Sequence, residues 1–175
     1  MFRSSSKSSK WNLAYAFVQA PQGYTCGKCL EFIFTREGKF LTHLSHEKIA
    51  GKRLIVMAIR LGGPLADDQF NLLIPGGGVG HFNGCSKVLG TKIGKRYGGL
   101  LTECMNDNMF GEVLDKETRY IKTKSCLINK CKEFFTGNKQ ALEGCLFLAN
   151  WMEAASDPEV VFEEVDCPKE LLSNY

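Results

Sequence analysis

The chain has 175 residues, of which 44% are hydrophobic and 23% charged, and its formal net charge is +3. This length suits one domain that buries a core, and the composition is that of a folded protein rather than a disordered one. The longest unbroken apolar run, Leu54 to Ile59, is far shorter than the roughly 20 residues of a membrane-spanning helix. We therefore expect no membrane association, and at this small charge no nucleic-acid partner.

The first part of the chain predicts a short helix followed by two strands. Residues 11–20 predict the helix. From Cys29 to Thr35 the large apolar side chains alternate with others, which is the period of a strand. A turn at Glu37-Gly38 leads to a second short strand over Lys39 to Leu44.

Three further strands are predicted along the rest of the chain. Arg53 to Ile59 is apolar and rich in β-branched residues, as in a buried strand. Phe70 to Ile74 forms another, which ends at Pro75 and a glycine run. Val160 to Val165 follows the turn dipeptide Asp157-Pro158. Short strands separated by Gly and Pro, without a clear long helix, predict an all-β barrel or sandwich.

The eight cysteines indicate disulfides and therefore a secreted protein. Their connectivity is open from sequence alone, because eight cysteines allow 105 pairings. The apolar stretch from Trp11 to Val18 is too short and too interrupted for a clear signal peptide. We expect residues 1–10 to be a flexible segment ahead of one domain over residues 11–175.

Two other motifs are candidate ligand sites. Cys26-x-x-Cys29 resembles half of a zinc site, with His43 and His46 or a second cysteine pair to complete it, but the spacing does not match known zinc sites. The run from Gly76 to Gly80 lacks the Gly-Lys-Ser/Thr of a phosphate loop, and it indicates close backbone approach or a tight turn instead. We expect neither a metal nor a cofactor.

Several stretches carry the motifs of one known family. They are Thr25 to Phe32, Gln69 to Cys85, Arg96-Tyr97-Gly98-Gly99 with its continuation to Cys104, Cys145 to Trp151, and Val161 to Leu171. The second stretch reads Gln-Phe-Asn-Leu-Leu-Ile-Pro-Gly-Gly-Gly-Val-Gly. Together they resemble glycoside hydrolase family 45, the small endoglucanases, over about residues 11 to 171. The resemblance implies a six-stranded double-psi β-barrel with short helices and a disulfide-pinned insertion at about 106–140.

The resemblance also implies an inverting hydrolysis that uses two aspartates, one as acid and one as base. On this alignment the acid position holds Asn71, the preceding histidine is Gln69, and an assisting aspartate falls at Pro64. The family's base lies in an N-terminal strand, and nothing similar precedes Trp11. An amide does not donate a proton as a carboxylic acid does, so we expect weak or no hydrolysis.

The expected function is binding of β-1,4-glucan or a related cell-wall polysaccharide by a monomer. Tyr97, Gln69 and Asn71, together with Asp67 or Asp68, line the implied groove. Tyr97 is either a sugar-stacking residue or a packed barrel tyrosine. An active endo-β-1,4-glucanase is the alternative, with Asp67 or Asp68 as the acid or with a base strand in a longer native chain. An expansin-like wall-loosening or effector role is the third possibility.

The family pattern further implies a set of cysteine pairs. It joins Cys29 to Cys167 and Cys104 to Cys145. Cys26 and Cys85 lack their family partners and are left to pair with each other. Cys126 and Cys131 lie inside the insertion, where we expect them to close a small loop.

Overall fold

The computed structural model describes residues 12–39, 43–63, 65–79, 95–107 and 114–173. The strands are β1 (Leu13–Ala20), β2 (Cys29–Gly38), β3 (Arg53–Leu61), β4 (Asn71–Leu72) and β5 (Pro158–Val165). The helices are α1 (Leu44–Ile49), α2 (Gly99–Asp107), α3 (Lys116–Phe135), α4 (Lys139–Asn150) and α5 (Lys169–Leu172). Among the helices of these ranges, none is long and apolar enough to cross a membrane.

The chain divides into two compact units that interleave in sequence. The sheet unit comprises the residues up to 35, residues 50–73 and the residues from 160 onward. The helical unit comprises residues 36–49 and 74–159. The expectation of one domain over residues 11–175 stays a prediction.

The described strands form one open, mixed five-stranded sheet in the order β4-β1-β3-β2-β5. β1 runs parallel to β3 and antiparallel to β4, and β2 runs antiparallel to β3. A sheet with short helices and disulfides agrees with the prediction at this coarser level. The described residues do not form the closed six-stranded barrel.

The predicted helix over residues 11–20 is wrong, because residues 13–20 form the strand β1. Its burial alternates: Ala14, Ala16, Val18 and Ala20 are buried, and the residues between them are half-buried. Alanine has the highest helix propensity of all residues, but the preference is small in energy, and pairing with strands on both sides outweighs it. We call the side of the sheet that carries the four buried residues the inner face, and the other side the outer face.

Aromatic rings from both edges of the sheet meet over its inner face. Phe70 lies just before β4, the strand at one edge, and Phe162 lies in β5 at the other edge. Their ring centroids are 5.1 Å apart, and the Phe70 ring is also 5.1 Å from that of the buried Phe32 of β2. Tyr24 packs edge-on against Phe70 at 5.2 Å. The sheet is therefore curled far enough for its two edges to share one hydrophobic core.

The other strand predictions fare differently. Strands were expected near β2, β3 and β5, and all three are confirmed. The strand expected over Phe70 to Ile74 shortens to the two residues of β4. The strand expected over Lys39 to Leu44 is wrong at its far end, where Leu44 begins α1; residues 40–42 lie outside the described ranges.

The absence of a long helix was also predicted wrongly, because α3 has 20 residues. Asp115 caps its N-terminus and accepts hydrogen bonds from the Thr118 backbone N–H (2.9 Å) and hydroxyl (2.6 Å). No Gly or Pro occurs between residues 112 and 136. Buried residues recur every four positions at Thr123, Leu127, Cys131 and Phe135. That spacing is the signal of a helix face, and it lies among many lysines.

The disulfides confirm one predicted pair and correct two others. Cys29 joins Cys167, as predicted. The predicted pairs Cys104–Cys145 and Cys126–Cys131 are wrong. Cys104 of α2 instead joins Cys126 of α3, and Cys131 of α3 joins Cys145 of α4.

The helix explains the correction. Residues five apart on an α-helix are separated by about 7.5 Å of rise, and a disulfide tolerates a Cα separation of at most about 7 Å. Cys126 and Cys131 therefore reach outward to the two flanking helices. Cys26 is exposed and has no disulfide partner within the described ranges. Its predicted partner Cys85 lies outside them.

Candidate functional site

A tight turn precedes β4 and carries the two candidate alternative acids. The Gln69 backbone N–H donates to the Ala66 carbonyl (2.9 Å), and the Ala66 N–H donates to Gln69 Oε1 (3.2 Å). Asp67 and Asp68 occupy the middle of this turn, and both are exposed. The Gln69 side chain thus holds together the turn that presents the two carboxylates.

Asn71, at the expected acid position, is the first residue of β4 and is exposed. It is the antiparallel partner of Gln19 in β1, and the next pair is Leu72 with Val18. Val18 lies on the inner face, so the alternation of strand side chains places Asn71 and Gln19 on the outer face. Pro64, at the position of the assisting aspartate, lies outside the described ranges.

The glycine run of the helical unit owes its composition to close backbone packing. A Cβ on Gly99 would lie 2.1 Å from the Gly76 carbonyl oxygen, and a Cβ on Gly78 would lie 2.6 Å from the Arg96 carbonyl oxygen. Hydrogen bonds from Leu100 N to Gly76 O (2.9 Å) and from Val79 N to Arg96 O (3.1 Å) join the two segments. This confirms the interpretation of the run as a close backbone approach.

Tyr97 extends from the segment that these glycines accommodate. It forms an isolated bridge with Gly78, and its side chain is 59% exposed. The Arg96 guanidinium carbon lies 5.6 Å from the centroid of its ring. The alternative of a packed barrel tyrosine is therefore wrong, and the ring lies at the surface. Tyr97 belongs to the helical unit, whereas Asp67, Asp68, Gln69 and Asn71 belong to the sheet unit.

One carboxylate of the sheet unit is buried. Glu31 of β2 is only 7% exposed, and Arg53 Nε donates a hydrogen bond to its Oε1. This bond raises the pKa of Arg53. The ion pair therefore links the neighbouring strands β2 and β3 through their side chains.

The two histidines weighed as zinc ligands make hydrogen bonds within the protein. His46 is fully buried; its Nδ1 accepts from the His43 backbone N–H (2.8 Å), and its Nε2 lies 2.8 Å from the Ser156 carbonyl oxygen. Both ring nitrogens of His46 thus have hydrogen-bond partners within the protein. Within the described ranges, no three His, Cys, Asp or Glu side chains are grouped as a metal site requires.

Comparison with known proteins identifies relatives of this chain. Residues 5–125 match the model of Glycosyl hydrolase family 45. The chain is 36% identical over 165 residues to Endoglucanase B of Cellvibrio japonicus, covering 91% of this chain and 31% of that protein. It is 28% identical over 165 residues to an endoglucanase of Cryptopygus antarcticus, covering 90% of this chain and 56% of that protein.

The fold has a counterpart among solved structures. The crystal structure of the cellulase from the Antarctic springtail Cryptopygus antarcticus superposes with a TM-score of 0.62 at 26% identity, covering 93% of this chain and 64% of that one. The chain thus spans 31% and 56% of the lengths of the two curated relatives. The family match and the identity to Endoglucanase B show that this chain belongs to glycoside hydrolase family 45.

Proposed function

We propose that the chain binds β-1,4-glucan or a related cell-wall polysaccharide and hydrolyses it weakly or not at all. Family membership supports a polysaccharide ligand. The observation that carries the rest is the exposed amide of Asn71 at the position that the alignment assigns to the catalytic acid. An inverting site needs a protonated carboxyl on one side of the scissile bond and a carboxylate on the other, roughly 6.5–9.5 Å apart.

The proposed contacts suit a neutral sugar chain. Carboxamides both donate and accept hydrogen bonds, so Asn71 and Gln69 match sugar hydroxyls without needing a charge. The surface ring of Tyr97 supplies a flat apolar face for stacking against a pyranose. Binding by these groups does not depend on a protonated carboxyl, and therefore survives the loss of the acid.

An active endo-β-1,4-glucanase is the second candidate. The relatives named as endoglucanases favour it, and Asp67 and Asp68 are the carboxylates available near Asn71 in sequence. A wall-loosening role like that of expansins is a third candidate that needs no complete acid-base pair. Because the chain spans only part of its relatives, their whole activity is not transferred to it.

Three finer features belong to the same proposal. The shared aromatic core at the sheet edges supports a six-stranded double-psi barrel as the complete fold. The three disulfides support secretion, since such bonds persist in oxidising compartments. We also propose that the protein acts as a monomer.

The test is a paired binding and hydrolysis assay on the purified 175-residue protein. Cellulose, lichenan, glucomannan and chitin are the ligands, and reducing ends report hydrolysis. We expect glucan binding with reducing-sugar release near background. Robust turnover that Asp67→Asn or Asp68→Asn abolishes would establish the endoglucanase instead.

A second variant tests the acid position alone. Asn71→Asp is nearly isosteric, and we expect its turnover to stay near background because an inverting site also needs a base. Turnover that appears only in this variant would show that a base is present and that Asn71 alone silences the enzyme.

A further inference from the structure

A second carboxamide lies directly beside Asn71. Gln19 is its antiparallel partner in β1, and both residues are on the outer face of the sheet. Directly opposed residues of an antiparallel pair have Cβ atoms about 4.5–5.5 Å apart, so the two side chains are neighbours. Residues 19 and 71 are far apart in sequence, and the strand register brings them together.

The Gln19 side chain is held in one orientation by the end of β3. Its Nε2 donates to the Gly62 carbonyl oxygen, and the Gly62 N–H donates to the Ala20 carbonyl oxygen (3.0 Å). Gly63 adopts a φ of +92°, and a Cβ at this position would lie 2.6 Å from Gln19 Nε2. The glycine is therefore needed both for its backbone conformation and for the space that the Gln19 amide occupies.

The strand pairing is irregular at this residue. Val18 pairs with Ala58, but Gln19 pairs with Arg60, so Ile59 is left without a partner in β1. Such bulges re-aim side chains and are frequent next to functional sites. Here the bulge coincides with the half-buried polar residue that adjoins the acid position.

The amide has hydrogen-bonding capacity left. Within the described ranges, Gln19 makes the single side-chain hydrogen bond to Gly62, and Asn71 makes none. A carboxamide has two donor hydrogens and an acceptor oxygen, so the fixed Gln19 retains its oxygen for a ligand hydroxyl. The hydrogen bond to Gly62 by itself would fit a purely structural role for Gln19. The exposed amide of Asn71 beside it is the observation that favours ligand binding, because the two amides together offer adjacent hydrogen-bonding groups.

We propose that Gln19 is a further glucan-binding residue. Its Oε1 accepts a hydrogen bond from a sugar hydroxyl next to the one that Asn71 binds, and the Gly62-Gly63 turn fixes its orientation. This inference rests on the proposed glucan-binding function and adds to it a residue that the sequence motifs do not contain.

The experiment measures the Kd of cellohexaose by calorimetry for the 175-residue protein and its variants. Gln19→Ala should weaken binding about 3- to 10-fold, which is the loss of one net hydrogen bond. Gln22→Ala is the matched control, because it removes the same type of side chain from an exposed position near the same turn. The Cγ of Gln22 would lie 3.7 Å from a Cβ added to Gly62. This variant should leave the Kd within about twofold.

Gly63→Ala tests the clamp without touching the glucan. The new methyl group should displace the Gln19 amide and weaken binding about as much as Gln19→Ala does. In a Gln19→Ala background the same substitution should weaken binding less, because the amide that it displaces is gone and only the backbone strain at φ +92° remains. Equal weakening in both backgrounds would overturn the clamp.

The outcomes separate this inference from the proposed function. An unmodified protein that binds no glucan would overturn both. An unmodified protein that binds, together with a Gln19→Ala variant of unchanged Kd, would overturn the role of Gln19 alone. A Gln19→Ala variant that melts earlier but binds normally would make Gln19 a structural residue.

Discussion

The sheet unit and the helical unit are cross-linked in opposite ways. In the sheet unit a disulfide joins residues 138 apart, and the strands it ties together come from widely separated parts of the chain. In the helical unit two disulfides join consecutive helices over 22 and 14 residues. The sheet therefore depends on long-range closure of the chain, whereas the helices are cross-linked to their neighbours in sequence.

Removing the disulfides one at a time should produce the largest differences in stability between the two units. If cross-links act by restricting the unfolded chain, the loops predict about 5 kcal/mol for Cys29–Cys167, about 3.4 for Cys104–Cys126 and about 3.0 for Cys131–Cys145. Replacing each pair with serines and measuring unfolding free energies in urea should give that order. Cys26→Ser, at an exposed cysteine, is the control and should change stability by less than about 0.5 kcal/mol. A helical-unit pair that contributes most would contradict the closure argument.

The aromatic core of the sheet unit offers the next largest effect. Phe32 is 3% exposed, so Phe32→Ala should destabilise the protein by about 3–5 kcal/mol. Phe162 contacts the same rings but is 41% exposed, and Phe162→Ala should reduce stability by only about 1 kcal/mol. Thermal and urea unfolding check both values. Equal losses would mean that Phe162 is buried in solution.

Replacing Tyr97 tests whether the surface of the helical unit takes part in glucan binding. Because its ring is exposed, Tyr97→Ala should change stability by less than about 0.5 kcal/mol. By analogy with bases stacked on aromatic side chains, the same variant should weaken glucan binding by about 1–3 kcal/mol. A melt and a binding isotherm on this one variant give both quantities. A large loss of stability with unchanged binding would assign the ring to packing.

The smallest effect is a pH dependence confined to the helical unit. Burial, with the neighbouring charges of His46 and Arg119, lowers the pKa of His43 below its usual 6.5. The unfolded chain then binds this proton more tightly than the folded protein does. Stability is therefore complete above about pH 6.5 and decreases as the pH falls toward the folded pKa.

The slope should stay well under about 1.4 kcal/mol per pH unit, the limit for one proton, because the ring is only half-buried. His43→Gln should flatten this part of the stability profile between pH 5 and 7, a range of about two units around the histidine pKa. An unchanged profile in the variant would place the titrating group elsewhere.

Local patterns predicted the strands whose side chains alternate strongly. In β2, large apolar residues recur at every second position, and β3 is continuously apolar, so both could be identified from short windows. β1 was predicted to be a helix because three of its eight residues are alanine, which favours helices over strands. α3 was not predicted because its many lysines obscured the four-residue spacing of its buried residues, Thr123, Leu127, Cys131 and Phe135.

Some residues of the candidate site could be identified from sequence motifs, and one could not. Asn71 and the turn with Asp67 and Asp68 follow from a contiguous motif, and so does Tyr97. Gln19 could not be found, because nothing in its local sequence marks it as a neighbour of Asn71. Its position depends on the register of β1 against β4 and on the bulge opposite Ile59.

The family pattern implied the Cys29–Cys167 pair, which the structure confirms. The sequence alone was enough to recognise the family and the close backbone approach of the glycine run. These follow from short motifs whose chemistry allows few alternatives, such as a Gly76 backbone that leaves no room for a Cβ on Gly99. The disulfide partners of Cys126 and Cys131, the surface position of Tyr97 and the position of Gln19 beside Asn71 became known only from the folded chain. Those features depend on which distant segments pack together, and packing is decided by the free energy of the whole fold rather than by local patterns.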